Sequence, residues 1–288
     1  VIELLKVVIL GIVEGVTEFL PISSTGHLIV ATAILQPAFS PALENTFEIF
    51  IQFGAVIAVV IYYWGDLWMR VRAIPHDPAA RRFWLGLVVA TIPAALIGLL
   101  LRDFIKETLF NPIIVALALI IGGVALILVE RRFSKTTRVS SDRVTDPTMT
   151  DAAPDQLYSV TMRQAALIGF VQVIALIPGV SRAAASIIGG MGVGLTRETA
   201  TRFSFYLAIP TLAGATILDL LLSLDEIQSG DLVYLIIGAA VAGVVAWAAI
   251  GWLLRYIARH SFTAFGIYRI IAGAIILIAA SVWNWQIT

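Results

Sequence analysis

Cysteine is absent from this 288-residue chain, which excludes disulfides, thiolate metal sites and a cysteine nucleophile. Charge is scarce as well: 13% of the residues are Asp, Glu, Lys or Arg, and 19 basic residues balance 19 acidic ones. A neutral chain without a basic stripe is not built to bind nucleic acid. The alternating segments of about ten residues that mark an outer-membrane barrel are missing. So is the small-residue cleavage pattern that would end a signal peptide, because the first apolar stretch runs straight into a polar cluster.

Apolar sequence fills the space that charge leaves. The chain is 59% hydrophobic with mean hydropathy +0.95, far from the balance of a soluble domain. Stretches near 48–64, 83–101, 112–129, 203–222, 232–254 and 262–283 each approach the length that a helix needs to cross the hydrocarbon core. The expected fold is an all-α integral membrane protein with six transmembrane helices.

Two further apolar segments, 1–36 and 161–195, are broken by Pro21 and Pro178, and hydroxyl residues follow both breaks. Proline ends a helix, and Ser or Thr caps the one that restarts, so each segment reads as helix, break, helix. The limb at 24–35 is too short to cross, which predicts two re-entrant hairpins meeting near mid-depth. The alternative is that 2–20 spans alone. With two hairpins and six spans, 14 Lys and Arg fall on one side and only Lys6, Arg102 and Lys106 on the other. That asymmetry predicts a cytoplasmic basic face, with the first hairpin open to the outer side and the second to the inner side.

Opposed hairpins suggest an inverted repeat, and the chain carries traces of one. Gly11-Ile-Val-Glu14 before Pro21-Ile-Ser23-Ser24 resembles Gly169-Phe-Val-Gln172 before Pro178-Gly-Val-Ser181, with one gap between the anchor points. Ile120 to Leu128, with Gly123, likewise resembles Ile270 to Ile278, with Gly273. A first repeat at 1–130 and a second at 161–288 would then be joined by a solvated polar linker, 131–160, with a site at the interface of the repeats.

Ionisable groups at membrane depth mark function, and the first break is crowded with them. Glu14 and Glu18 are one turn apart, share a helix face, and suit either a divalent cation, Mg²⁺ or Ca²⁺, or an acid and a base. The competing explanation is a pair of solvated acids in an aqueous vestibule. Ser23, Ser24, Thr25 and Gly26 follow the break, where the N–H groups of a starting helix attract phosphate. One of these hydroxyls is needed as a cap in any case. His27, near Ser24, suits a general base or a nucleophile, or else a structural bond.

The second break supplies Ser181 and Arg182, whose planar fork matches phosphate oxygens, with Ser186 one turn on as a further donor. A structural ion pair of Arg182 with Glu14 or Glu18 is the rival explanation. Glu48 and Gln52 share a helix face and could orient the site from outside it or simply pair with each other. Arg269 and Asp219 fall within or near the ends of spans, where snorkelling or structural pairing accounts for them.

At these residues the chain resembles the undecaprenyl-diphosphate phosphatase family, the bacitracin-resistance type of membrane enzyme. The run Glu14-Gly-Val-Thr-Glu18-Phe-Leu-Pro-Ile-Ser23-Ser24-Thr25-Gly26-His27 matches that family's pattern throughout, and Pro178-Gly179-Val180-Ser181-Arg182 matches its second motif. Similarity extends to Phe47-Glu48 with Gln52, to Phe203-Ser204-Phe205 and to Tyr268-Arg269, so it covers nearly the whole chain. Where the family continues Ser-Arg-Ser-Gly-Ala-Thr, this chain has Ser181-Arg182-Ala183-Ala184-Ala185-Ser186. Position 183 is therefore not expected to touch phosphate, and Ser186 stands in the role of the family Thr.

The resemblance implies hydrolysis of undecaprenyl diphosphate to undecaprenyl phosphate and inorganic phosphate. It also implies dependence on a divalent cation, recycling of the carrier lipid for peptidoglycan synthesis, and bacitracin resistance. The expected setting is the bacterial inner membrane, with the site on its outer side. Expected partners are the polyprenyl diphosphate lipid and bilayer lipids, and a homodimer is left open. In the expected mechanism Ser24 attacks phosphorus while His27 accepts its proton. Arg182 and the helix-start N–H groups then steady the phosphate, and Glu14 and Glu18 hold the cation or manage protons. An alternative makes His27 the nucleophile. The rival from another class is a lipid flippase or secondary transporter built on the same inverted repeat.

Overall fold

The computed structural model describes residues 2–141, 156–223 and 230–282. Secondary structure there is helical, as the apolar runs require. In order the helices are α1 (Ile2–Thr17), α2 (Ser24–Leu35), α3 (Pro41–Tyr62), α4 (Trp64–Ala73), α5 (Pro78–Leu100), the single turn α6 (Arg102–Phe104) and α7 (Pro112–Ser141). A second set follows: α8 (Met162–Gln172), α9 (Arg182–Gly192), α10 (Arg197–Ser223), α11 (Asp231–Ile257) and α12 (Thr263–Val282).

Among the described residues five helices, α5, α7, α10, α11 and α12, are long and apolar enough to cross a bilayer. The sixth expected span is α3, whose apolar part Thr46–Tyr62 turns by 71° into α4. The chain is a multi-pass α-helical membrane protein. One expectation is corrected at the linker. Helix α7 continues through Ser141, because Glu130-Arg131-Arg132-Phe133 and the residues after it contain no Pro or Gly to stop it. Residues 142–155 of that linker lie outside the described residues.

Both expected breaks are present. Helix α1 has 16 residues, short of the roughly 20 that a span needs. The Glu18 N–H still bonds the Glu14 carbonyl, and the chain then turns through Pro21, which has no N–H to continue the ladder. Helix α2, with 12 residues, restarts at Ser24. In the second segment Thr161 and Gln164 form a capping box at the start of α8. A 3₁₀ turn, Val173–Leu176, then leads through Pro178 and Gly179 to α9.

The two breaks share an unusual backbone. Ser23 has φ 74° and ψ 102°, Ser181 has φ 72° and ψ 116°, and each side chain accepts the N–H of the residue three positions on. Because Glu14 precedes Ser23 by as many residues as Gln172 precedes Ser181, the segments correspond without the expected gap. Ser24 therefore corresponds to Arg182 rather than to Ser181.

Packing repeats the correspondence. Helix α1 lies on α11, and α8 lies on α5, so each broken segment rests on a long helix from the other part of the chain. The equivalent glycines make both contacts close: a Cβ on Gly11 would stand 2.8 Å from the Gly238 carbonyl oxygen, and one on Gly169 2.5 Å from that of Ala90. Helices α3 and α10 pack on each other, as do α7 and α12. The buried core runs from Phe19 past Phe205 and Tyr206 to Phe83, directly beside the two breaks.

Candidate active site

Glu18 joins the two segments. Its Oε2 accepts the Ser24 hydroxyl at 2.6 Å, and its Oε1 meets Arg182 Nη2 at 3.0 Å. Ser24 and Arg182 are thus brought to opposite oxygens of one buried carboxylate, although 158 positions separate them along the chain, from 24 to 182. Arg182 is braced from behind. Its Nη1 donates to the Ser204 carbonyl at 2.9 Å, and the guanidinium lies over the Phe19 ring at 5.5 Å.

Ser186, expected at the phosphate, is placed behind Arg182 instead. Its hydroxyl donates to the Arg182 carbonyl at 2.8 Å and shares a 2.7 Å bond with the Ser204 hydroxyl. Ser23 and Ser181 act as caps, with their hydroxyl oxygens accepting Gly26 N–H and Ala184 N–H. Thr25 is half-buried on the first turn of α2, and Gly26 packs towards Leu119 and Val115 of α7.

Glu14 is fully buried, and neither of its carboxylate oxygens has a hydrogen-bond partner among the described residues. Its charge is felt by Glu18, Glu48 and Arg182, which places all four groups in one neighbourhood. The Nε of Arg182 is likewise buried without an acceptor. The two breaks thus carry one cationic donor and two carboxylate acceptors that the described residues leave unmatched, and unmatched buried polar groups are costly unless a ligand completes them. Gln172, the counterpart of Glu14 in the second segment, is also buried with neither amide atom bonded. Glu48 and Gln52 lie one turn apart on α3, facing this neighbourhood through Glu48.

His27 lies at the side of this group. Its Nδ1 is 2.7 Å from the Ser23 carbonyl oxygen and its Nε2 2.6 Å from the Tyr268 hydroxyl, so its bonds run to those two and not to Ser24.

Arg269 is the residue that sequence reasoning undervalued. Instead of snorkelling, it is fully buried and its guanidinium bonds carbonyls from three segments. Nη1 donates to Pro21 at 3.1 Å, Nη2 to Gly179 at 3.0 Å and Val180 at 2.9 Å, and Nε and Nη2 reach Leu119 and Ala118. It ties both breaks to α7. An apolar span that pauses at one Arg was the signal that could have found it. Asp219 pairs with Arg102 at 3.0 Å, as structural pairing predicts.

Fold and site define a multi-pass helical membrane protein whose two broken segments present an acid, a hydroxyl and an arginine to one buried point. Residues 7–275 match the family described as Bacitracin resistance protein BacA, and the chain belongs to that family. Among its relatives is the undecaprenyl-diphosphatase of Deinococcus radiodurans, 45% identical over 94% of this chain and 93% of that protein. The undecaprenyl-diphosphatase of Albidiferax ferrireducens is 43% identical over 100% and 98%. That of Parvibaculum lavamentivorans is 43% identical over 95% and 96%.

Proposed function

We propose that the chain hydrolyses undecaprenyl diphosphate to undecaprenyl phosphate and inorganic phosphate, recycling a carrier lipid for cell-wall synthesis. The observation that carries this reading is the unmatched pair of partners. The Arg182 Nε asks for an anionic oxygen and the Glu14 oxygens ask for a cation or a proton. A diphosphate accompanied by a divalent cation supplies both. The relatives' shared name supports the same substrate.

In the proposed reaction the Ser24 Oγ forms a bond to the terminal phosphorus while the bond from that phosphorus to the bridging oxygen breaks, releasing undecaprenyl phosphate. The Ser24 proton passes to Glu18, to which it is already bonded. Arg182 holds the equatorial oxygens. Water then attacks the phosphoserine, the bond from phosphorus to Oγ breaks, inorganic phosphate leaves and Ser24 regains a proton. Ser24 is preferred to His27 as nucleophile because both His27 ring nitrogens are engaged elsewhere.

Glu14, with Glu48 nearby, fits the divalent cation that the family resemblance implies. Among the described residues no three His, Asp or Glu side chains converge to hold a metal. The protein would therefore supply one or two oxygens and the substrate phosphates the rest, as Mg²⁺ commonly accepts. When bound, such a cation would neutralise charge on the diphosphate.

The halves 1–130 and 161–288 are proposed to enter the inner membrane from opposite faces, with Ser24 reached from the outer side. The charge asymmetry and the paired packing of α1 on α11 and α8 on α5 support this. The carrier reading gains nothing from the relatives' names. Purified protein in detergent, with Mg²⁺ or Ca²⁺ and no membrane to cross, is expected to release phosphate from undecaprenyl diphosphate. If it releases none where an active relative turns over, the reading fails.

A further inference from the structure

Tyr268 is exposed on α12 in line with Ile271, Ile275 and Ile278, the spacing of one helix face, on a helix long and apolar enough to cross a bilayer. A phenol hydroxyl there must find a partner within the protein, since hydrocarbon offers none. It finds the His27 Nε2 at 2.6 Å, with the two rings tilted by only 4° and their centroids 5.5 Å apart, side by side. On the other side of the imidazole is the Ser23 carbonyl, which can only accept. Nδ1 therefore carries the hydrogen, Nε2 is the acceptor, and the Tyr268 O–H donates to it.

We infer that Tyr268 is a positioning residue for the phosphatase site, acting through His27. This rests on the proposed activity. Two bonds fix the imidazole in one tautomer and one orientation beside Ser23, whose strained backbone at φ 74° starts the helix that carries Ser24. The phenol O–H bonded to Nε2 and the Ser23 carbonyl bonded to Nδ1–H thus hold the neutral imidazole at the edge of the site. No other side chain is bonded to His27 among the described residues.

Histidine NMR reads this directly, because the chain has only three His residues. In full-length protein labelled with ¹⁵N-histidine in detergent, subtraction of a His27→Gln spectrum assigns the His27 signals. The wild type is expected to show a single Nδ1–H tautomer. Tyr268→Phe, which removes one oxygen, is expected to keep the Nδ1–H tautomer set by the Ser23 carbonyl but to shift the Nε2 signal and the His27 titration, with kcat/KM down about tenfold. Tyr268→Leu, suited to a lipid-facing position, serves as the second variant and is expected to behave likewise. The inference is overturned if the variants keep the wild-type Nε2 signal and titration, or if these change while kcat/KM stays within twofold. Inactive wild-type protein would instead count against the proposed function, since the NMR arm does not depend on turnover.

Discussion

Glu18 has two partners at once, the Ser24 hydroxyl and the Arg182 guanidinium. Removing its charge therefore takes the proton acceptor from one and the counter-ion from the other. Glu18→Gln is expected to lower kcat by about 10²–10⁴-fold, the range for a lost general base, in a steady-state phosphate-release assay. Arg269 tests positioning without touching the substrate. Arg269→Lys keeps the charge but cannot reach carbonyls on three segments with one ammonium, so thermal unfolding in detergent should show a loss of about 2–4 kcal/mol. The residues of the first break were legible because acids and hydroxyls are conspicuous in an apolar chain. Arg269 was not, because its partners are backbone carbonyls, and any residue type can supply one. The place of Ser186 was hidden for a similar reason: what it touches, Ser204, belongs to a different helix.

At the scale of elements, the helix restarts after the breaks rest on two serines in a backbone region that side chains rarely adopt. The two contributions at Ser181 can be separated. Ser181→Gly gives up a cap worth a few tenths of a kcal/mol while relieving the positive φ, so unfolding should show stability equal to wild type or higher. Ser181→Ala keeps the strain and loses the cap, and should cost about 1 kcal/mol. Pro21 and Pro178 made these breaks readable in the sequence, and the spans were readable from their length and composition. The bend at Tyr63 was not, because Tyr62-Tyr63-Trp64 continues the apolar run with no proline to announce a change of direction. The extension of α7 to Ser141 was equally hidden, since charged residues read as solvent-exposed whether or not they are helical.

For the molecule as a whole, the missing cysteines become an experimental convenience, because a single introduced thiol reports alone. Arg82 and Leu101 lie at opposite ends of α5 and both are exposed. With the proposed orientation, a membrane-impermeant maleimide should label Leu101→Cys in intact cells and Arg82→Cys only after the membrane is opened. The reverse pattern would turn the molecule over. The guanidinium that ties Pro21 to Gly179 belongs to α12, which leaves the ribosome after Glu18, Ser24 and Arg182 have all been made. A nascent chain halted before α12 would hold each of those reactive groups with nothing to set them in register. Competence to cleave a phosphoanhydride would therefore arrive late in synthesis, once the final described helix has been inserted beside α7.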